Sequence, residues 1–171
     1  MRIAELSPDE AAAQVEALTD LLADAVDSGA SVSFMQSTPR DTLAAFWIRT
    51  AGEVRERGTR MLAAVDGERL IGVVLLRLTT PPNQPHRADV AKLLVHRSAR
   101  RRGVAKALMT NLERLARDAD RTLLTLDTVT GGAAEPLYAA LGWTRVGIIP
   151  GYALFPDGRP CDTTVFFKRL D

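Results

Sequence analysis

An arginine-rich turn between an apolar run and a helical pattern is the stretch of this sequence best suited to hold an anion. Residues 90–95 are largely apolar and predict a strand, and a helical pattern begins near Gly103. Small side chains at Gly103 and Ala105 leave the backbone uncovered, so successive N–H groups at the helix N-terminus can point at a phosphate, helped by the helix dipole. The turn lacks the Gly-Lys-Ser/Thr of a P-loop and the three glycines of the dinucleotide fingerprint. We therefore predict a pyrophosphate-binding turn, the alternative being a solvated basic helix start.

Two carboxylates stand in or at the end of apolar strands, where an unpaired charge is unfavourable. Asp89 and Asp127 belong to strands that flank one predicted helix, and a strand–helix–strand unit makes its strands parallel neighbours. Such a pair could act as a general base or bind a cationic group, and the sequence does not separate the two roles. The structural alternatives are an ion pair of Asp89 with Arg87 or Lys92, and a loop-capping role for Asp127.

Composition excludes several other classes of function. The chain has 171 residues, ordinary proportions of hydrophobic and charged residues, and a formal net charge of +1, so no overall field favours nucleic acid or a membrane surface. Cys161 is the only cysteine, and His86 and His96 lack a second ligand at metal spacing, so we expect no disulfide and no metal site. We expect a single domain over residues 1–171, located in the cytoplasm, without a membrane span.

The remaining patterns predict an α/β (α+β) chain in the order β-α-α-β-β-β-α-β-α-β-β. A capping signal at Ser7-Pro8 begins a helix that Gly29 ends, and Thr38-Pro39 begins a second. Asp66-Gly67 predicts a hairpin turn, and the prolines of residues 79–86 predict a loop. Strands are predicted over residues 2–6, 61–65, 70–78, 87–95, 122–127, 143–149 and 163–168, and a short helix over 135–141.

This order, the turn and a second motif together resemble the GCN5-related N-acetyltransferase (GNAT) superfamily. The second motif is Glu135-Pro136-Leu137-Tyr138 followed by Gly142-Trp143. The resemblance implies a mixed, mostly antiparallel twisted sheet with helices on both faces, and acetyl-CoA as co-substrate. It implies that Tyr138 is the acid for the leaving thiolate and that Asp89 and Asp127 are catalytic, directly or through a water. The implied acetyl-CoA contacts are Leu93, Leu94, Val95, Arg100, Arg101, Arg102, Gly103, Val104 and Ala105.

More narrowly, five stretches resemble the tabtoxin-resistance acetyltransferase family, which acetylates an amine of an amino-acid-like β-lactam toxin. They are residues 29–35, 87–90, 126–128, 138–152 and 156–159. This resemblance implies a substrate pocket formed by Ser31, Phe34, Met35 and Tyr152. Gly131 is a departure, because many members have an asparagine there that touches the CoA arm. We expect an N-acetyltransferase acting on a small amine, the alternative being an acyl-CoA-binding sensor or interaction module of the same fold. The sequence leaves a monomer and a homodimer equally open.

Overall fold

A mixed seven-stranded sheet with helices on both faces forms the body of the protein, which confirms the predicted fold class. The computed structural model describes residues 1–78 and 80–170. Its elements in chain order are β1 (Arg2–Glu5), α1 (Pro8–Ala13), α2 (Val15–Asp27), α3 (Arg40–Arg55), β2 (Thr59–Asp66), β3 (Arg69–Arg77), β4 (Arg87–Val95), a 3-10 turn (Arg97–Ala99), α4 (Val104–Asp118), β5 (Leu123–Val129), α5 (Glu135–Ala140), β6 (Thr144–Leu154) and β7 (Pro160–Arg169).

The strands lie in the order β1-β2-β3-β4-β5-β7-β6. Neighbouring strands are antiparallel except β4 and β5, which are parallel as predicted for the two strands that flank α4. The parallel pairing is short, running from Arg87 opposite Leu123 to Asp89 opposite Thr125. Within the described residues the two strands do not pair beyond Asp89, so one edge of β4 is left without a neighbouring strand.

A β-bulge lies in the unpaired half of β4. The register with β3 moves from Leu75 opposite Ala91 to Val73 opposite Leu94, so β4 contains an extra residue at this point. Lys92 takes up the irregularity with a φ of 52°, in the left-handed region that most side chains avoid. Bulges re-aim side chains, and this one places Lys92 on the face covered by α1, α2 and α3.

That first face is packed by the three N-terminal helices. A capping box between Ser7 and Glu10 begins α1. Leu18, Leu21 and Leu22 of α2 are buried, and Trp47 of α3 is fully buried against the sheet. The apolar residues of α4 and α5 pack on the opposite face, where Leu108, Met109 and Leu112 are fully buried.

Two local predictions are wrong or incomplete. The first helix is interrupted at Gln14, which leaves helical geometry although no glycine or proline marks it. The loop expected after residue 149 is largely strand, because β6 and β7 continue pairing past a bulge as far as Leu154 opposite Pro160. Of the loop predicted over 79–86, Thr79 lies outside the described residues.

Candidate active site

The divergence of β4 and β5 creates a gap in the middle of the sheet, and the predicted chemical residues surround it. Leu94 is buried, whereas Leu93 and Val95 are partly buried on the α4 face. Their side chains pack in the core, as expected if their backbone groups, and not their side chains, contact the ligand. An unpaired strand edge can accept an extended ligand in the way that it would accept another strand.

The arginine-rich turn lies at the end of this edge and has the geometry of an anion cradle. Arg101 and Gly103 have φ values of 61° and 79°, so the chain curls before α4 begins at Val104. In the described part of the chain the backbone N–H groups of Arg101, Arg102 and Gly103 have no hydrogen-bond acceptor. A side chain added at Gly103 would meet nothing within 4 Å, so the space in front of the turn is open. The residues present therefore fit a bound pyrophosphate.

Two of the arginine side chains are already engaged with the protein. Arg102 forms an ion pair of 2.7 Å with Asp66, and Arg100 Nε donates to the Val95 carbonyl at 3.3 Å. Both are half-exposed, so either can add positive potential at the turn. Their direct contact with a phosphate stays a prediction.

Asp24 on α2 holds the residues just before this turn, and we call this contact the clamp. The sequence did not predict it. Asp24 accepts the backbone N–H of Arg97 at 2.9 Å and also the guanidinium of Arg97, while His96 Nε2 lies 3.6 Å from the same carboxylate. Burial acts to raise the pKa of Asp24, but the hydrogen bonds from Arg97 outweigh it and hold that pKa below its usual range. Asp24 is distant in sequence from the turn, and no pattern in the sequence signals the contact.

Asp89 forms the ion pair that the sequence left open as a structural alternative. Its Oδ1 accepts hydrogen bonds from Arg87 Nη1 and from Thr125 Oγ1 on the neighbouring strand. Lys92, the other proposed partner, does not contact it. Asp89 Oδ1 is therefore already engaged by the protein, so the structure does not treat Asp89 and Asp127 alike.

Asp127 is exposed and accepts no hydrogen bond from the described residues. Leu124 and Leu126 are buried in the core beside α4, so the alternation of the strand puts Thr125 and Asp127 on the opposite face, together with Asp89. The carboxylate of Asp127 acts electrostatically on both Lys92 and Tyr138. Asp127 is therefore the residue at the gap whose carboxylate has no hydrogen-bond partner among the described residues.

Tyr138 approaches the same gap from the other face. It is the buried residue of α5 and packs its ring against Trp143 and Phe166, with ring centroids 6.0 and 5.6 Å apart. Burial, and then the negative charge of Asp127, raise the pKa of Tyr138 to about 12. Its hydroxyl is therefore protonated at any ordinary pH and can donate a proton.

The predicted substrate residues divide into two groups. Ser31 donates to the Leu154 carbonyl at 2.7 Å, and Phe34 stacks edge-on against Phe46 of α3, so residues 31–35 form a wall above the first face. The N–H of Met35 donates to Thr38 Oγ1 at 3.0 Å within the same loop. Tyr152 is 57% exposed on β6 and makes no hydrogen bond or ring contact with this loop in the described residues.

Lys92 is a residue of the site that sequence reasoning considered only as a partner for Asp89. Its Nζ donates to the Val32 carbonyl and to Ser33 Oγ, both at 2.9 Å. Burial, and then repulsion from Arg77, lower the pKa of Lys92 to about 8, although Asp127 acts in the other direction. The available signal was a lysine in the middle of an apolar strand, which is unfavourable unless it is partnered.

Among the described residues, no histidine, cysteine, aspartate and glutamate side chains form a group of three or more that could hold a metal ion. Over the same residues, every helix is too short or too polar to cross a bilayer.

Comparison with known proteins assigns the family. The sequence model of the acetyltransferase (GNAT) family matches residues 18–143. Rat (Rattus norvegicus) N-acetyltransferase 8B is 31% identical over 100 residues, covering 57% of this chain and 45% of that protein, so the chain matches less than half the length of this relative. Two solved structures share the fold at 19% identity and a TM-score of 0.81. The first is yncA from Salmonella typhimurium with its cofactor acetyl-CoA, and the match covers 100% of this chain and 94% of that one. The second is the ribosomal-protein-alanine N-acetyltransferase from Brucella melitensis, and the match covers 99% of each chain. This chain therefore belongs to the acetyltransferase (GNAT) family.

Proposed function

We propose that this protein is an acetyl-CoA-dependent N-acetyltransferase whose acceptor is a small amine. The observation that carries the proposal is the gap between β4 and β5, with an anion cradle at its end, an unengaged carboxylate on one face and a buried, protonated tyrosine on the other. Membership of the GNAT family and the acetyl-CoA in the yncA structure support the choice of co-substrate.

Acetyl-CoA would be held along β4 and at the turn that follows it. The backbone N–H groups of Arg101–Ala105 would bind the pyrophosphate, with charge from Arg100 and Arg102, and the backbone of Leu93, Leu94 and Val95 would pair with the pantetheine arm. The Gly131 departure removes one side-chain contact to that arm. When bound, acetyl-CoA supplies a thioester carbonyl that an amine can attack.

The acid and base roles fall on residues from the two faces of the sheet. Asp127 accepts a proton from the acceptor ammonium, directly or through a water, so that the amine nitrogen can form the new bond to the acetyl carbon. Asp89, tied to Arg87 and Thr125, holds that part of the sheet and adds negative charge near the amine. Tyr138 donates its hydroxyl proton to the thiolate as the carbon–sulfur bond breaks, and regains a proton from the nitrogen, which releases its second proton as the amide forms.

For the acceptor, we propose an amino-acid-like compound of the kind that the tabtoxin-resistance family acetylates. Ser31, Phe34 and Met35 belong to the loop over residues 31–35, which offers an apolar ring and a polar side chain to an acceptor. Tyr152 would add to this pocket from β6, whose Leu154 carbonyl accepts a hydrogen bond from Ser31. A role in toxin or antibiotic resistance, a cytoplasmic location and a single domain over residues 1–171 are parts of this proposal.

The direct test is thiol release from acetyl-CoA in the presence of a panel of primary amines, including free amino acids, amino-acid β-lactams and aminoglycosides, with mass spectrometry of the product. We expect turnover with at least one amino-acid-like amine and a product carrying one acetyl group on nitrogen. Tight binding of acetyl-CoA in a calorimeter without turnover on any amine would instead indicate the acyl-CoA-binding sensor of the same fold.

A further inference from the structure

We infer that Lys92 is a positioning residue that locks residues 31–35, the acceptor loop, onto the β-bulge of β4. The kinetic consequence of this inference rests on the proposed function. The inference adds to that function by identifying what fixes the acceptor loop relative to β4, the strand that would carry the thioester.

The contacts of the ammonium group carry the argument. Its two hydrogen bonds, to the Val32 carbonyl and Ser33 Oγ, end on consecutive residues of the loop. The rings of Phe34 and Phe46 lie 5.7 and 5.4 Å from Nζ, so the cation also contacts the loop's aromatic side chain and the helix behind it. A single lysine thus joins β4, the acceptor loop and α3.

The loop has few other ties to the sheet, and it is strained where Lys92 holds it. Ser33 has a φ of 77°, which a non-glycine residue adopts only when its surroundings impose it. The other hydrogen bonds that leave the loop region involve the β6–β7 hairpin, from Ser31 to Leu154, from Gln36 to Pro156 and from Cys161 Sγ to Ser31. Among the described residues, Lys92 is therefore the one that ties this loop to β4 by hydrogen bonds.

The bulge explains why a lysine can do this from an otherwise apolar strand. A regular strand would alternate Ala91 and Lys92 between faces, but the extra residue turns both toward α3. The charged groups that face Lys92 are Arg77 from β3 and Asp127 from β5, and residues 29–35 contain no titratable side chain.

Hydrogen–deuterium exchange of the peptide that contains residues 31–36 tests the lock without any acceptor. Lys92→Met should lower protection of this peptide at least tenfold, because it removes both hydrogen bonds and the cation, whereas Lys92→Arg should keep most of the protection. Lys168→Met is the matched control, because Lys168 is a partly buried lysine with two partners on the opposite face, and its loss should leave this peptide unchanged. Equal protection in wild type and Lys92→Met would overturn the inference.

Kinetics on the best amine of the panel then separates the lock from the proposed function. We expect Lys92→Met to raise the acceptor KM about tenfold with little change in the acetyl-CoA KM, and Ser33→Ala to add nothing further in the Lys92→Met background. A wild-type protein that acetylates no amine would defeat the proposed function while leaving the exchange result to decide the lock. An unchanged acceptor KM alongside a loosened loop would overturn the positioning role.

Discussion

Removal of the Tyr138 hydroxyl separates its chemistry from its packing. Tyr138→Phe keeps the ring that packs on Trp143 and Phe166 and deletes an oxygen that has no hydrogen-bond partner among the described residues. We therefore expect a change in unfolding free energy of at most about 0.5 kcal/mol, and an unchanged dissociation constant for acetyl-CoA.

The size of the kinetic effect follows from the protonation state of the hydroxyl. With a pKa of about 12, it is a weak acid that is fully protonated, and it can act either by transferring its proton or by hydrogen-bonding the departing thiolate. A hydrogen bond to a charged group contributes about 1.5–3 kcal/mol, or roughly 10- to 150-fold in rate, and general acid catalysis typically contributes about 10²- to 10⁴-fold. Both routes are consistent with a loss of about 10²-fold in kcat.

Three measurements on the same preparations test this prediction. They are kcat from stopped assays of thiol release, the melting temperature, and the affinity for acetyl-CoA. The wild-type rate should also show no decline from tyrosine ionisation below about pH 10, because the raised pKa keeps the proton in place. A kcat within about twofold of wild type in the folded variant, far below the general-acid range, would refute the assignment and leave Tyr138 as a core aromatic residue.

Four further substitutions test the rest of the site. Gly103→Val should raise the acetyl-CoA dissociation constant at least tenfold and destabilise the fold by about 1–2 kcal/mol, because a β-branched residue is strained at a φ of 79°. Unchanged calorimetric affinity would exclude the cradle. Asp127→Asn should lower kcat about 10²-fold or more without lowering the melting temperature, and a kcat within about twofold of wild type would exclude Asp127 as the base. Asp89→Asn should instead lower the melting temperature, because it weakens the ion pair with Arg87. Asp24→Asn should raise the KM for acetyl-CoA several-fold and leave the acceptor KM unchanged, since it loosens the turn and not the acceptor loop, and equal effects on both KM values would contradict the clamp.

Local signals in the sequence were enough to predict the elements that begin or end at a strong stereochemical cue. The capping signal at Ser7, the hairpin turn at Asp66-Gly67 and the start of α4 directly after Gly103 each appear where the sequence indicated. These cues act over a few residues, through backbone conformations that particular side chains favour. The order of elements, together with the second motif, was then sufficient to indicate the fold and the family.

The functional distinctions depend on contacts between residues far apart in the chain. The sequence predicted the same roles for Asp89 and Asp127. In the structure, the side chains of Arg87 and Thr125 bind Asp89, whereas Asp127 has no hydrogen-bond partner among the described residues. The clamp from Asp24 and the lock from Lys92 also join distant segments. The sequence by itself therefore determined which groups are available and which elements carry them. Tertiary structure decided which charges are paired, buried or exposed, because pairing and desolvation depend on the neighbours that folding brings together.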